Sequence, residues 1–111
     1  MPPLSDAVLD QIVQKIVEEV DPEQVILFGS RARGDARAGS DVDLVVVESE
    51  PFDQQRSRRL RTARLHRSLA GFDVAKDLLL YSRDEVEYWR DSLNHVLARA
   101  LREGRVLYER R

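Results

Sequence analysis

The stretch Val25-Ile-Leu-Phe-Gly-Ser-Arg-Ala-Arg-Gly-Asp-Ala-Arg-Ala-Gly-Ser-Asp-Val-Asp-Leu-Val-Val-Val47 decides how this chain folds. Residues 25–28 form an apolar run that stops at Gly29-Ser30. Residues 43–47 form a second run, rich in β-branched side chains and introduced by Ser40-Asp41. Two strands thus flank a polar insert. For the end of the first to lie beside the beginning of the second, they must run antiparallel, bridged by the segment from Ala32 to Ala38.

The first half of the insert offers a place for phosphate. Gly29 can take backbone angles closed to other residues and lets a ligand approach the main chain, and the following helical turn points its N–H groups outward. Ser30 adds a hydroxyl, Arg31 and Arg33 add charge, and Arg33 has the planar fork of donors that suits a polyphosphate. Taken alone, a Gly-Ser after a strand is also what an ordinary strand-ending turn looks like. In the second half, Asp41 and Asp43 stand two residues apart at the start of a strand. Both side chains therefore emerge on one face, roughly 6.5 to 7 Å apart at the backbone. Two like charges there repel unless a cation lies between them. Mg²⁺ is the natural candidate, since it takes one or two carboxylates and completes its shell with water and phosphate oxygens; the alternative is a solvated pair at a strand entrance. The antiparallel arrangement makes the halves one site, in which metal bridges the carboxylates and a nucleoside triphosphate.

These residues resemble the signature of the nucleotidyltransferases of the DNA polymerase beta-like superfamily: Gly29-Ser30, a spacer, then Asp41-Val42-Asp43 on the next strand. The form Gly-Ser-x-Ala-Arg-Gly followed by Ser-Asp-x-Asp-Leu is most similar to the minimal nucleotidyltransferases (MNT), antitoxins often encoded beside a HEPN-domain toxin. The resemblance implies transfer of a nucleoside monophosphate, AMP from ATP, to a hydroxyl with release of pyrophosphate. It implies two Mg²⁺ ions on Asp41 and Asp43, phosphates seated by Gly29 and Ser30 with Arg33 as helper, and a third carboxylate from a neighbouring strand. Asp77, directly before Leu78-Leu79-Leu80, is the matching position, as metal ligand and proton acceptor; Asp73 is the fallback. Larger relatives grip their acceptor with an additional domain. Here the acceptor would be the gripping partner itself, a tyrosine of a HEPN ribonuclease toxin. Two rivals remain: an antitoxin that only masks the toxin, and a stand-alone transferase acting on a small molecule or an RNA end.

Composition sets bounds on these readings. A chain of 111 residues reads as a single domain, residues 1–111, with little to spare for a second lobe. Charged residues make up 34% yet nearly balance, at a net charge of −2, so the overall field does not favour nucleic acid as a partner. There is no cysteine, hence no disulfide and no thiolate metal site. The Met1-Pro-Pro-Leu-Ser-Asp start has no basic lead, and no stretch approaches the ~20 apolar residues of a membrane span, so a cytoplasmic address is expected.

Along the chain, Ser5 caps a packing helix with apolar positions Val8, Leu9, Ile12, Val13, Ile16 and Val20, which Asp21-Pro22 stops. An arginine-rich helix is expected from about Asp53 to Leu69. Its Arg56, Arg58, Arg59, Arg61, Arg64 and Arg67 form either a solvated face or a surface for triphosphate, RNA or an acidic protein. Phe72 to Tyr81 reads as a third strand. A helical connection makes its pairing with the second strand parallel, which would bring Asp77 alongside Asp41 and Asp43. Ser82-Arg-Asp-Glu85 has the form of a capping box. The helix after it carries Val86, Tyr88 and Trp89 and continues or restarts at Leu93, ending at Gly104. The tail from Arg105 to Glu109 is a short strand or an extended arm, with Tyr108 as a contact for a partner or second subunit, in a homodimer or hetero-oligomer. The expectation is a small α/β domain: a three-stranded mixed sheet flanked by about four helices on one main face, the acids on the other, exposed face.

Overall fold

A computed structural model describes residues 5–34, 36, 41–92 and 95–110. Helix α1 (Asp6–Val20) begins where the sequence places its cap: the Ser5 hydroxyl accepts the Val8 N–H at 3.1 Å. It ends at Asp21, whose left-handed backbone (φ 46°) turns the chain into β1 (Gln24–Phe28). There follow α2 (Ser30–Arg33), β2 (Val42–Glu48), α3 (Arg58–Ser68), β3 (Lys76–Ser82), α4 (Arg83–Trp89), α5 (Val96–Glu103) and β4 (Arg105–Glu109). The bridging residues 35 and 37–40, and residues 93–94 where a helix restart was expected, lie outside the described residues.

The sheet has four strands in the order β3-β2-β1-β4, not three. β1 pairs antiparallel with β2, as expected, and β2 pairs parallel with β3. The additional strand is the tail, which docks antiparallel on the other edge of β1, Gln24 opposite Glu109. Arg110 fastens it, its N–H donating to the Glu23 carbonyl (2.8 Å) and its guanidinium to the Asp21 carbonyl (3.1 Å) and the Ser49 hydroxyl (2.5 Å). Tyr108, offered above as a partner contact, is half-buried against the core. There are five helices among the described residues rather than about four: the short helix between β1 and β2 is present as the single turn α2, and the last helical stretch is divided into α4 and α5.

Helices cover both sheet faces, which corrects the one-face expectation. Leu9, Ile12 and Ile16 of α1 and Leu65 of α3 pack on Val25, Leu27, Val42, Leu44, Val46, Leu78 and Leu80. Leu97 and Ala100 of α5, with Val86 and Trp89 of α4, cover Ile26, Val45 and Val47 on the opposite side. Strands buried on both sides read as continuous apolar runs, as β1 and β2 do.

Helix α3 starts at Arg58 instead of Asp53. The Asp53 carboxylate accepts the N–H groups of Gln55 and Arg56 (2.9 and 2.7 Å), a turn that competes with helix, and Ser57 then caps Leu60. Likewise β3 starts at Lys76 rather than Phe72. Four of the six arginines of this region serve the chain's own acids. Arg56 and Arg61 hold Glu48 at 2.6 and 2.5 Å, Arg58 holds Glu85 at 2.5 Å, and Arg64 reaches Glu19 at 3.5 Å. Glu48, on the core side of β2, is only 1% exposed.

Candidate functional site

The pairing of β1, β2 and β3 sets a row of residues across one end of the sheet. Phe28 lies opposite Asp43, and Asp43 lies in register with Asp77. Cross-strand partners share a face, so Phe28, Asp43 and Asp77 project on the α4–α5 side, past the apolar cluster those helices cover. Asp43 is half-buried there, whereas Asp77 is exposed and Asp41, just before β2, is exposed as well. The face is thus covered at its middle and open at this end, a more specific arrangement than the bare acidic face expected.

Gly29 joins β1 to α2 in a conformation that only glycine adopts readily, φ 74° and ψ −156°. A Cβ at this position would collide with Oδ2 of Asp43. The N–H groups of Ala32 and Arg33 turn back onto the Gly29 carbonyl, both at 3.1 Å, and close the turn that starts at Ser30. Gly29 and the second acid of Asp-x-Asp are therefore in contact across the β1–β2 pair. Gly29→Ala combines a strained backbone with this collision. It is expected to cost about 1–3 kcal/mol and to displace the Asp43 carboxylate, read as a lowered midpoint in a denaturant titration together with lost nucleotide binding.

The electrostatics show the same grouping. Burial first, then the charges of Asp77 and Asp41, push the Asp43 carboxyl above its ordinary value, while Arg33 and Arg31 pull it down. Asp73 takes no part in this. It sits in the connection before β3 and acts on Lys76, whose ammonium is tied to the carbonyls of Phe72 and Val74 at 2.9 and 2.7 Å and is pushed below its ordinary value by burial. Of the two candidate third carboxylates, Asp77 is the one beside the Asp43 strand.

Among the described residues no three His, Cys, Asp or Glu side chains form a ready-made metal cage. The donor set nevertheless fits Mg²⁺, which binds through one or two carboxylates and takes its remaining oxygens from water and phosphate. A carboxylate held protonation-prone by burial and by two like charges is also what a cation would relieve. No helix among the described residues is long and apolar enough to cross a membrane.

A feature the sequence reading missed adjoins Gly29. The end of β1 and helix α5 enclose a cleft of about 170 Å³ lined by Phe28, Gly29, Arg33, Val96, Arg99, Ala100 and Glu103. The signal was present: Val96, Arg99, Ala100 and Glu103 recur at helical spacing on one face. Trp89 helps to fix α5 by stacking on His95 (centroids 4.3 Å apart), whose Nδ1 accepts the Leu97 N–H at 3.1 Å and caps the helix.

Comparison with known proteins agrees with this architecture. The curated relative "Probable protein adenylyltransferase MntA" of Haemophilus influenzae is 38% identical over 53 residues, which cover 47% of this chain and 46% of that protein, so the match spans less than half of that relative's length. Among solved structures, a toxin–antitoxin complex with AMP-PNP superposes with a TM-score of 0.57 at 21% identity, covering 92% of this chain and 74% of the other. A mutant MntA–HpeT toxin–antitoxin complex superposes with a TM-score of 0.61 at 16% identity, covering 92% and 73%. These likenesses are of fold. Residues 9–101, most of the chain, match the nucleotidyltransferase domain model, and the protein belongs to that family.

Proposed function

We propose that the protein is a Mg²⁺-dependent nucleotidyltransferase of the minimal type that moves AMP from ATP to a tyrosine hydroxyl of a partner HEPN ribonuclease toxin, and so acts as its antitoxin. The observation that carries this reading is the contact of Gly29 with Asp43 beside Asp77, which puts a phosphate-accessible turn and three carboxylates at one open end of the sheet. The MntA relative, named as a protein adenylyltransferase, and the toxin–antitoxin neighbours support a toxin protein as the partner.

In this reading Gly29 and Ser30 seat the β and γ phosphates, and Arg33 adds charge to them. Asp41 and Asp43 would hold Mg²⁺, with Asp77 completing the set; when bound, two such ions would offset charge on the attacking and leaving oxygens. The acceptor oxygen attacks the α-phosphorus, the bond to the β-phosphate breaks, and pyrophosphate leaves. The hydroxyl's proton passes to the Asp77 carboxylate, which faces solvent where an acceptor arrives. Incubation with ATP, Mg²⁺ and the purified toxin should add one nucleotide to a toxin tyrosine by mass spectrometry and abolish its ribonuclease activity at substoichiometric antitoxin. Strictly one-to-one inhibition without ATP would leave a mask in place of an enzyme.

Asp43→Asn should abolish Mg²⁺-dependent ATP binding in calorimetry and yet stabilise the metal-free fold. Because the folded state raises the Asp43 pKa, folded protein binds more protons than unfolded protein between the ordinary value of 3.8 and the raised one. Stability therefore falls as pH rises through that window and stays reduced above it. The variant's gain should be present at neutral pH, up to about 4 °C in Tm because the group is partly screened, and should vanish below the ordinary value. Unfolding of the variant at neutral pH would instead make Asp43 structural.

A further inference from the structure

With phosphate and metal residues placed, the cleft between β1 and α5 remains without a role. Gly29 and Arg33 line it as well as the phosphate turn, so a ligand lying over Gly29 extends into it. Phe28 points to the same side as Asp43, its register partner, so cleft and carboxylates open on one face. We infer that this cleft seats the base of the bound nucleotide, with Phe28 as stacking surface and the Arg99–Glu103 pair reading the edge of an amino-bearing base, as adenine is. The inference rests on the nucleotide reading of the site.

Size and lining both fit. The cleft, about 170 Å³ and open on one side, has room for a flat heterocycle while sugar and phosphates lie outside it over Gly29. Phe28, Val96 and Ala100 give apolar walls for a ring face, and bases stack on aromatic side chains whatever their edge. Specificity then falls to the rim. The Arg99 guanidinium and Glu103 carboxylate stand 3.8 Å apart one helical turn from each other, with side chains 60% and 51% exposed. So long and exposed a pair contributes little to stability, and both groups can turn to a ligand at small cost. Together they present a donor fork beside an acceptor. Adenine offers the complement, an amino group beside a ring nitrogen, whereas uracil places a carbonyl oxygen where the amino group would be and sets it against the Glu103 carboxylate.

The test is calorimetry in Mg²⁺ with ATP, UTP and inorganic tripolyphosphate, which shares the phosphates but has no base. The wild type should bind ATP about tenfold more tightly than UTP, and tripolyphosphate more weakly than ATP. Glu103→Gln, whose carboxamide both donates and accepts, should bring the ATP-to-UTP ratio near unity. Val96→Trp, placed at an exposed position of α5 to fill the cleft, should lower ATP to the tripolyphosphate level. An unchanged ATP-to-UTP ratio in the first variant together with retained preference for ATP over tripolyphosphate in the second would overturn the base seat while leaving the phosphate site standing. Failure of the wild type to bind either ATP or tripolyphosphate would remove the nucleotide reading and this inference with it.

Discussion

Asp77→Asn should still bind ATP and yet transfer its nucleotide about 10²- to 10⁴-fold more slowly, the loss typical of a missing general base. Asparagine keeps the shape of the side chain and a carbonyl that can face a cation, but it cannot take a proton. The position is chosen by the parallel register of β2 and β3, which sets Asp77 beside Asp43, and by its exposure, which leaves it open to an incoming hydroxyl. Single-turnover transfer with saturating ATP isolates the step from binding. A rate near that of the wild type would take the proton acceptor away from Asp77. Asp73, engaged with Lys76 in the connection before β3, would need a rearrangement to replace it.

The largest expected change in stability lies at the far end of β2. Glu48 is 1% exposed and depends on Arg56 and Arg61, which approach from the turn before α3 and from α3 itself. Replacing both arginines by alanine strands a carboxylate in the core, expected to cost about 3–5 kcal/mol, a large share of the ~5–15 kcal/mol that holds a domain together. Each single replacement should cost clearly less than half, because the remaining guanidinium still meets the charge, so the two effects are coupled and not additive. Urea titrations of the singles and the double measure this directly. A double variant within about 1 kcal/mol of the wild type would show that Glu48 does not need its partners.

What could be read in the sequence follows from how local each signal is. Val25–Phe28, Gly29-Ser30 and Asp41–Val47 each announce themselves within a few residues, and the antiparallel return between the strands needs only a short bridge. The Ser82–Glu85 capping box is equally local and is fully formed, the Ser82 N–H donating to Glu85 at 3.0 Å and the Glu85 N–H to the Ser82 hydroxyl at 3.3 Å. β4 was harder: Arg105–Glu109 is short, its residues are at best half-buried, and only the vacant edge of β1 makes it a strand. Coverage of the second sheet face was legible in principle, since the unbroken Val-Ile-Leu and Leu-Val-Val-Val runs do not alternate as a half-exposed sheet would. The arginine-rich helix was misleading for a different reason. Its Arg61, Arg58 and Arg64 are paired with Glu48, Glu85 and Glu19 from other elements, and the sequence holds no local mark of such pairings.

The docking of β4 on β1 also has a consequence in time. During synthesis β1, β2 and the residues of β3 emerge well before Arg105–Glu109, the last of the described strands to be made. At roughly 5–20 residues per second, the delay between completing β2 and completing β4 is on the order of seconds. Throughout it the outer backbone edge of Val25-Ile26-Leu27 has donors and acceptors but no neighbour, and an open apolar edge is a template for another chain. The nascent protein thus passes through an interval in which a strand interior to the finished sheet is its most adhesive one, and the length of that interval is set by the ribosome's pace and not by the stability of the finished sheet.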